Sequence, residues 1–369
     1  MRFGVGVIGA TGYIGTPYRR EIRGTPEDAR IVALCARRRE PLEAAAREDG
    51  EPFITDDWRK VVEHPDVNVV LVATPDRLHV EPVLAAAKAG KHIVCEKPIA
   101  ADAPEARRMW EAARDARVAT FVPFWTRYSA GYVKARELVR AGAVGEVRAI
   151  IYRWHNPRPA AMPFTWRDDA TLSSAGSIAD VGSHSYESVR YITGLAATRA
   201  LAHGTVITPP KPDLGTPNLI EALAWGQAHV QSGAGGVALR RGTAFDYAAI
   251  ACEYDNGAVG VYVVSHASCL RKGLAPELEL HGTEASLSID RASGVILLAK
   301  PDQAPVQVAT AKDSGATNRF KEYVFPALRA QLAGQVVEAP TLEEGYRVQL
   351  FADAAARSAR QGGWIDARG

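Results

Sequence analysis

In the first third of the chain, apolar residues gather in short dense runs separated by stretches of helical spacing. Phe3 to Ile8 alternates small and apolar residues and predicts a central strand. Ile31-Val32-Ala33-Leu34-Cys35 and Asn68 to Ala73 are near-continuous apolar runs, the pattern of parallel strands buried on both faces. Ile93-Val94-Cys95 reads as another buried strand, and Val118 to Val122 gives a further one. Between them, Val83, Leu84 and Ala87 recur at helical spacing within Glu81 to Ala89, and Gly90 closes that helix. Further helices are predicted from Pro41 onward, around Trp58–Glu63, and from Asp102 and Pro104. This alternation predicts an α/β domain over 1–122 built on a doubly wound parallel sheet.

Beyond Pro123 the period changes. A helix from about Ala130 to Arg140 stops at Gly142, and strands then dominate. Val147–Trp154 is one; Tyr247–Tyr254 and Ala258–Ser265 flank Asp255-Asn256-Gly257, a strong hairpin signal. Glu277–His281 and Ala285–Asp290 pair around Gly282-Thr283. The pattern predicts a second, α+β domain over 123–369 with a mainly antiparallel open sheet. Val259–Val264 is apolar at successive positions, which makes one sheet face an expected contact between copies of the chain. Thr208–Gly236, rich in Pro and Gly, reads as a long insertion of unassigned role.

Composition narrows this picture without redirecting it. At 369 residues, 47% hydrophobic and 23% charged, the chain has the core-forming material for two globular domains. A formal charge of +2 with no long basic run argues against a nucleic-acid partner. Cys35, Cys95, Cys252 and Cys269 sit in or beside apolar runs without metal spacing, so reduced thiols and no metal are expected. The first strand leaves no room for a signal peptide and no apolar run spans a bilayer, so a cytoplasmic protein without a membrane partner is expected.

Candidate chemistry sits at the carboxyl ends of the predicted parallel strands, where ligands bind in open α/β sheets. After the first strand comes Gly9-Ala10-Thr11-Gly12-Tyr13-Ile14-Gly15, with one residue more between its first two glycines than the usual dinucleotide fingerprint. Many turns carry two or three glycines, but this one links a strand to a helix. There, backbone amides can approach a pyrophosphate at a helix N-terminus. The second strand ends in Ala36-Arg37-Arg38-Arg39 where an acid would normally hold the ribose 2′-hydroxyl of NAD. Arginines without a carboxylate suit a 2′-phosphate, so NADP(H) is favoured over NAD(H); a solvated basic loop is the plain alternative. Thr74-Pro75-Asp76 with His79 follows the next strand, and Glu96-Lys97-Pro98 the one after. Lys97 is thereby expected to face the ligand crevice, against the alternative of a solvated turn lysine.

A second constellation is Ala175 to Glu187. If the chain is helical from Asp180, then Asp180, His184 and Glu187 share a face. A carboxylate one turn from an imidazole fixes its tautomer and raises its basicity for taking a proton from a hydroxyl. A structural cap with a satisfied histidine, or a divalent metal bound by the three, are the alternatives. Gly176 and Gly182 favour a tightly turned, ligand-facing helix start.

Together these motifs resemble the Gfo/Idh/MocA family of sugar and cyclitol oxidoreductases over nearly the whole length. The resemblance is carried by the glycine loop, Thr74-Pro75-Asp76 with His79, Ala89-Gly90-Lys91-His92 through Glu96-Lys97-Pro98, and Asp180 with His184. It continues through Asp246, Asn256-Gly257-Ala258-Val259-Gly260 and Leu280 to Leu287. It implies an N-terminal Rossmann domain and a C-terminal domain whose open sheet mediates homodimers or homotetramers. It also implies that Lys97, Asp180 and His184 meet beside the nicotinamide. The cofactor would touch Gly9, Thr11, Gly12, Tyr13, Ile14, Ala36, Arg37, Arg38, Thr74, Pro75, His79, Glu96, Lys97 and Pro98. A secondary ring alcohol would lose hydride while His184 accepts its proton, Lys97 stabilises the developing alkoxide and Asp180 orients His184 or a substrate hydroxyl. Arg127, Tyr128, Trp154, His155, Asn156, Trp166 and Arg167 become candidates for the sugar pocket. Two features depart from the family. Ala10-Thr11 lengthens the glycine loop as in semialdehyde dehydrogenases, but Cys252 and Cys269 lack a setting that would activate a thiol. Glu187 stands where the family more often has aspartate, a change that would alter which ring hydroxyl is read. Transient oxidation that drives glycoside elimination with a retained cofactor needs the same residues; nucleotide sensing without catalysis is a further alternative on the same fold, against which Lys97, Asp180 and His184 together argue.

Overall fold

The computed structural model describes residues 2–215, 217–230, 235–311 and 318–369, in two compact units. The first comprises Met1–Pro123, Pro217–Glu221 and Ala316–Gln349. Its centre is β1 (Phe3–Ile8), buried at every position. β2 (Ala29–Cys35), β3 (Phe53–Thr55), β4 (Val69–Val72), β5 (His92–Cys95) and β6 (Thr120–Phe121) complete a six-stranded sheet in the order β3-β2-β1-β4-β5-β6. All its pairings are parallel. The runs of β2, β4 and β5 thus lie in interior strands, as double-sided burial requires, while Val118 to Val122 supplies the edge strand β6.

The intervening helices are α1 (Gly15–Arg23), α2 (Arg39–Glu48), α3 (Trp58–Glu63), α4 (Val80–Lys88) and α5 (Ala103–Asp115). Helix α2 starts two residues before Pro41, with Arg38 as its cap residue. Asp102 caps α5 by accepting from the Glu105 amide at 2.9 Å, so the aspartate marks the helix start as its sequence position predicts.

The edge strand β6 is finished by residues from the far end of the chain. The Gln331 side chain bonds both the N–H and C=O of Thr120, each at 3.0 Å. Leu342 N–H donates to Thr120 Oγ1 at 3.1 Å, and Val122 N–H donates to Pro340 O at 2.6 Å.

The second unit comprises Phe124–Thr216, Ala222–Gly315 and Leu350–Gly369. After α6 (Ala130–Arg140) and β7 (Val147–His155) come α7 (Ser183–Thr193), β8 (Ala197–Thr205) and β9 (Lys211–Pro212). Helix α8 (Leu219–Ala228) lies inside the insertion, where the sequence pattern predicts no helix, and is followed by β10 (Leu239–Arg240). The remaining strands are β11 (Tyr247–Tyr254), β12 (Val259–Ser265), β13 (Leu278–Gly282), β14 (Ser286–Asp290), β15 (Val295–Ala299), β16 (Val306–Thr310) and β17 (Ile365–Asp366). Helices α9 (Phe325–Leu332) and α10 (Leu342–Gln361) complete the chain.

Apart from the short β9–β10 pair, these strands form one nine-stranded sheet, antiparallel except for the parallel pairing of β7 and β12. Both expected hairpins are present, and Gly257 takes φ +82° at the tip of the first. The packed face carries Tyr152 and Tyr262, and Tyr262 meets Tyr186 of α7 and Phe351 of the last helix, whose rings stack at 4.1 Å. On the other face, Leu201, Ala251, Val261 and Ile151 lie opposite one another across four strands. That row ends in a largely apolar surface, with Val259 53% exposed beside it.

Candidate active site

In the first unit the strand ends converge as the sheet topology requires. Gly9 takes φ +89°, and a Cβ there would sit 2.4 Å from Ala73 O, so only glycine fits the crossing from β1 into the loop. The N–H groups of Gly9 and Ala10 donate to Cys35 O, which fixes the loop beside the end of β2. Thr11, Gly12 and Ile14 are partly open and Tyr13 is exposed, and α1 begins at Gly15. Ala36 is buried and Arg37 to Arg39 are exposed.

Two neighbouring turns, Thr74-Pro75 after β4 and Glu96-Lys97-Pro98 after β5, are tied by one imidazole. His79 is 1% exposed; its Nδ1 lies 3.1 Å from Pro98 O and its Nε2 2.8 Å from Thr74 O. The ring therefore ties the two turns together through their backbone carbonyls. Glu96 is buried, accepts from the Tyr18 hydroxyl, and takes the Lys97 amide at 3.2 Å. Burial pushes its carboxyl up, against the pull of Lys97, Tyr18 and His79. The Lys97–Pro98 bond is cis, Pro98 is buried, and Lys97 is half-buried at the end of β5.

In the second unit, every residue from Ser173 to Val189 is buried except Asp180 and His184. Gly176 takes φ +55° against Phe245, and the chain then makes a π turn over Ile178–Gly182 before α7. A wide turn of this kind re-aims the side chains on either side of it and recurs at functional sites. Asp180 Oδ2 lies 3.5 Å from Arg158 Nη2, 3.5 Å from Arg167 Nη1 and 3.0 Å from His266 Nε2. The His266 contact does not meet hydrogen-bond geometry, so the imidazole packs against the carboxylate without a directed bond. His184 Nδ1 faces Thr126 Oγ1 at 3.4 Å, and its ring lies 5.5 Å from Trp154 at a tilt of 33°.

Glu187 does not share the opening with Asp180 and His184. It is 0% exposed and accepts from Arg127 Nε at 2.5 Å, while the Arg127 guanidinium also lies over Tyr191. This ion pair occupies both residues, so neither a metal shared by Asp180, His184 and Glu187 nor a hydroxyl read by Glu187 fits the geometry. Among the described residues no cluster of His, Cys, Asp or Glu is arranged to hold a metal ion. Tyr128 and Trp166 are half-buried, and the Arg167 guanidinium stacks over Trp166 at 4.4 Å. Trp154 is buried, and among the described residues its indole N–H has no acceptor.

Comparison with known proteins decides the family. Residues 3–124 match the model of the Gfo/Idh/MocA oxidoreductase family with its NAD-binding Rossmann fold, and residues 132–288 match the Gfo/Idh/MocA C-terminal domain. The chain belongs to the Gfo/Idh/MocA family. As a member it is an oxidoreductase with an NAD-binding domain. It is 27% identical over 344 residues to levoglucosan dehydrogenase of Pseudarthrobacter phenanthrenivorans, across 87% of this chain and 85% of that one. Myo-inositol 2-dehydrogenase of Thermotoga maritima is 30% identical over 203 residues, 55% of this chain and 58% of the relative. A solved levoglucosan dehydrogenase in complex with NADH and L-sorbose matches with a TM-score of 0.81 at 25% identity, over 100% of this chain and 99% of the other.

Within this Gfo/Idh/MocA chain, Arg158, His266 and Thr126 surround Asp180 and His184, and the sequence reading misses all three as members of the acid–imidazole centre. None stands at a motif spacing; only folding brings them there. His266 carries a testable consequence. Burial, helped by Arg158, pulls its imidazole down to about 4 from an ordinary 6.5. The unfolded chain therefore binds this proton more readily, so the stabilisation is complete above pH 6.5 and is lost as pH falls towards 4. Thermal unfolding followed from pH 7 to pH 4 should show a falling Tm, with a visibly shallower fall in His266→Gln; parallel curves would remove His266 as the cause.

Proposed function

We propose that the protein transfers hydride between a nicotinamide cofactor and a secondary hydroxyl of a sugar, sugar derivative or cyclitol. What carries the reading is the pair Asp180 and His184, the two partly open residues in an otherwise buried stretch of 17 residues from Ser173 to Val189. The relatives' names, levoglucosan dehydrogenase and myo-inositol 2-dehydrogenase, support a polyhydroxylated ring as substrate. The first unit suits the cofactor: the glycine crossing at Gly9 would be filled by any Cβ, and the turns at Ala36, Thr74-Pro75 and Glu96-Lys97-Pro98 all lie at carboxyl ends of adjacent strands.

When bound, the nicotinamide ring supplies the hydride acceptor or donor. His184 takes the hydroxyl proton, with Thr126 at Nδ1 orienting the ring. Asp180 holds the charge formed on His184, and Arg158 and Arg167, each 3.5 Å away, keep Asp180 aimed. Lys97 stabilises negative charge developing on the substrate oxygen. The apolar row Leu201, Ala251, Val261 and Ile151 supports self-association through the open sheet face, as a homodimer or homotetramer.

The test is direct: NAD(H) and NADP(H) are titrated by nicotinamide fluorescence, and a panel of sugars and cyclitols is then followed by absorbance. Binding with substrate-dependent turnover is the expected result. Binding without turnover on any ring alcohol would overturn the dehydrogenase reading, and binding of neither nucleotide would overturn the cofactor reading as well.

A further inference from the structure

The three arginines after β2 differ in their surroundings. Arg39 Nε lies 2.6 Å from Glu43 Oε1, one turn along α2. Arg38 Nη2 lies 2.8 Å from Glu221 Oε1, a residue 183 positions further on. Among the described residues, Arg37 is the member of the triplet with no carboxylate within ion-pair distance.

The placement of Glu221 is built into its own segment. Asn218 Oδ1 accepts from the Glu221 amide at 2.9 Å, and Glu221 Oε2 accepts from the Asn218 amide at 3.0 Å. This reciprocal cap at the start of α8 fixes the carboxylate in position. Its other oxygen is thereby presented to Arg38, the cap residue of α2 just past the end of β2. That is the place where a dinucleotide fold ordinarily supplies an acid for the ribose 2′-hydroxyl, and β2 itself supplies none.

We propose that Glu221, reaching in from the insertion, is the acid missing from the end of β2 and selects NAD(H) over NADP(H). The proposal rests on the nucleotide reading given above. A carboxylate has about four lone-pair sites, so Glu221 keeps acceptor capacity for a ribose hydroxyl after bonding Arg38 and Asn218. A 2′-phosphate meets the opposite situation. It must compete with Glu221 for Arg38, and it carries about two negative charges into the neighbourhood of a fixed third. The triplet that looks basic in the sequence therefore offers a phosphate little beyond Arg37.

The pair is also well suited to being tested. Arg38 is 51% exposed and Glu221 44%, so their ion pair contributes little to folding and its removal leaves the molecule intact. NADH and NADPH binding would be measured on the wild type, Glu221→Gln, Arg38→Ala and the double variant. The wild type should prefer NADH. Glu221→Gln should raise the affinity for NADPH relative to NADH by about tenfold at low salt, with a smaller gain at high salt. In the Arg38→Ala background the same substitution should gain much less, because the cation it frees is gone. A wild type that prefers NADPH, or an unchanged NADPH-to-NADH ratio in Glu221→Gln, would overturn the proposal and leave the oxidoreductase reading standing. Failure of the wild type to bind either nucleotide would overturn both.

Discussion

Lys97→Ala is expected to keep its nucleotide and lose its turnover. The lysine stands at the carboxyl end of β5, half-buried, with its amide held by the buried Glu96 carboxyl. Glu96 is in turn fixed by the Tyr18 hydroxyl, so the turn keeps its shape when the lysine side chain is removed. Losing one preorganised donor at a developing oxyanion ordinarily costs about 10²–10³ in kcat. An effect of at least that size is expected here, with the dissociation constant for NAD(H) changing by roughly threefold or less. Single-turnover absorbance and nicotinamide fluorescence measure the two quantities separately. Turnover retained within a few-fold of wild type would take Lys97 out of the chemistry.

The second large effect concerns stability. Glu187→Ala leaves the Arg127 guanidinium buried and without its carboxylate, since Glu187 is 0% exposed and accepts from Arg127 Nε. Breaking a buried ion pair from one side costs about 3–5 kcal/mol. For a unit of this size that corresponds to a drop in Tm of roughly 10 °C. Removing both charges at once, as in Arg127→Met with Glu187→Leu, should recover much of the loss, because the double variant leaves no charge stranded. Denaturant unfolding of the three proteins checks the comparison. A Glu187→Ala protein as stable as the wild type would mean that the pair is not buried in solution.

Local rules make most of the fold legible in the amino-acid sequence. The parallel strands announce themselves because burial on both faces leaves almost no polar position in β4 or β5. The hairpin at Asp255-Asn256-Gly257 is legible because its turn demands a positive φ that Gly257 supplies. Asp180 and His184 stand out because one helical turn separates them. What stays hidden in the sequence depends on contacts between distant residues. The bond between Arg38 and Glu221 is one such contact, since no local pattern joins positions 183 residues apart. Glu187 reads as a ligand-facing acid because a helical repeat from Asp180 ignores both the π turn and the guanidinium of Arg127. His79 stands out by its place after β4, but the approach of its ring to Pro98 and Thr74 is visible only in the fold.

The finishing of β6 by Gln331, Pro340 and Leu342 bears on how the protein is made. A ribosome delivers residues 1–123 early, yet that segment emerges with the outer edge of its sheet unpaired, a surface prone to joining other chains. Closure waits until residues 331–342 have been translated, so the first-synthesised strands of this unit are completed only about 200 residues later. A gene cut at the apparent boundary near residue 122 therefore encodes an open-edged fragment, and a nonsense mutation just before Gln331 damages the nucleotide-binding unit from more than 200 residues away.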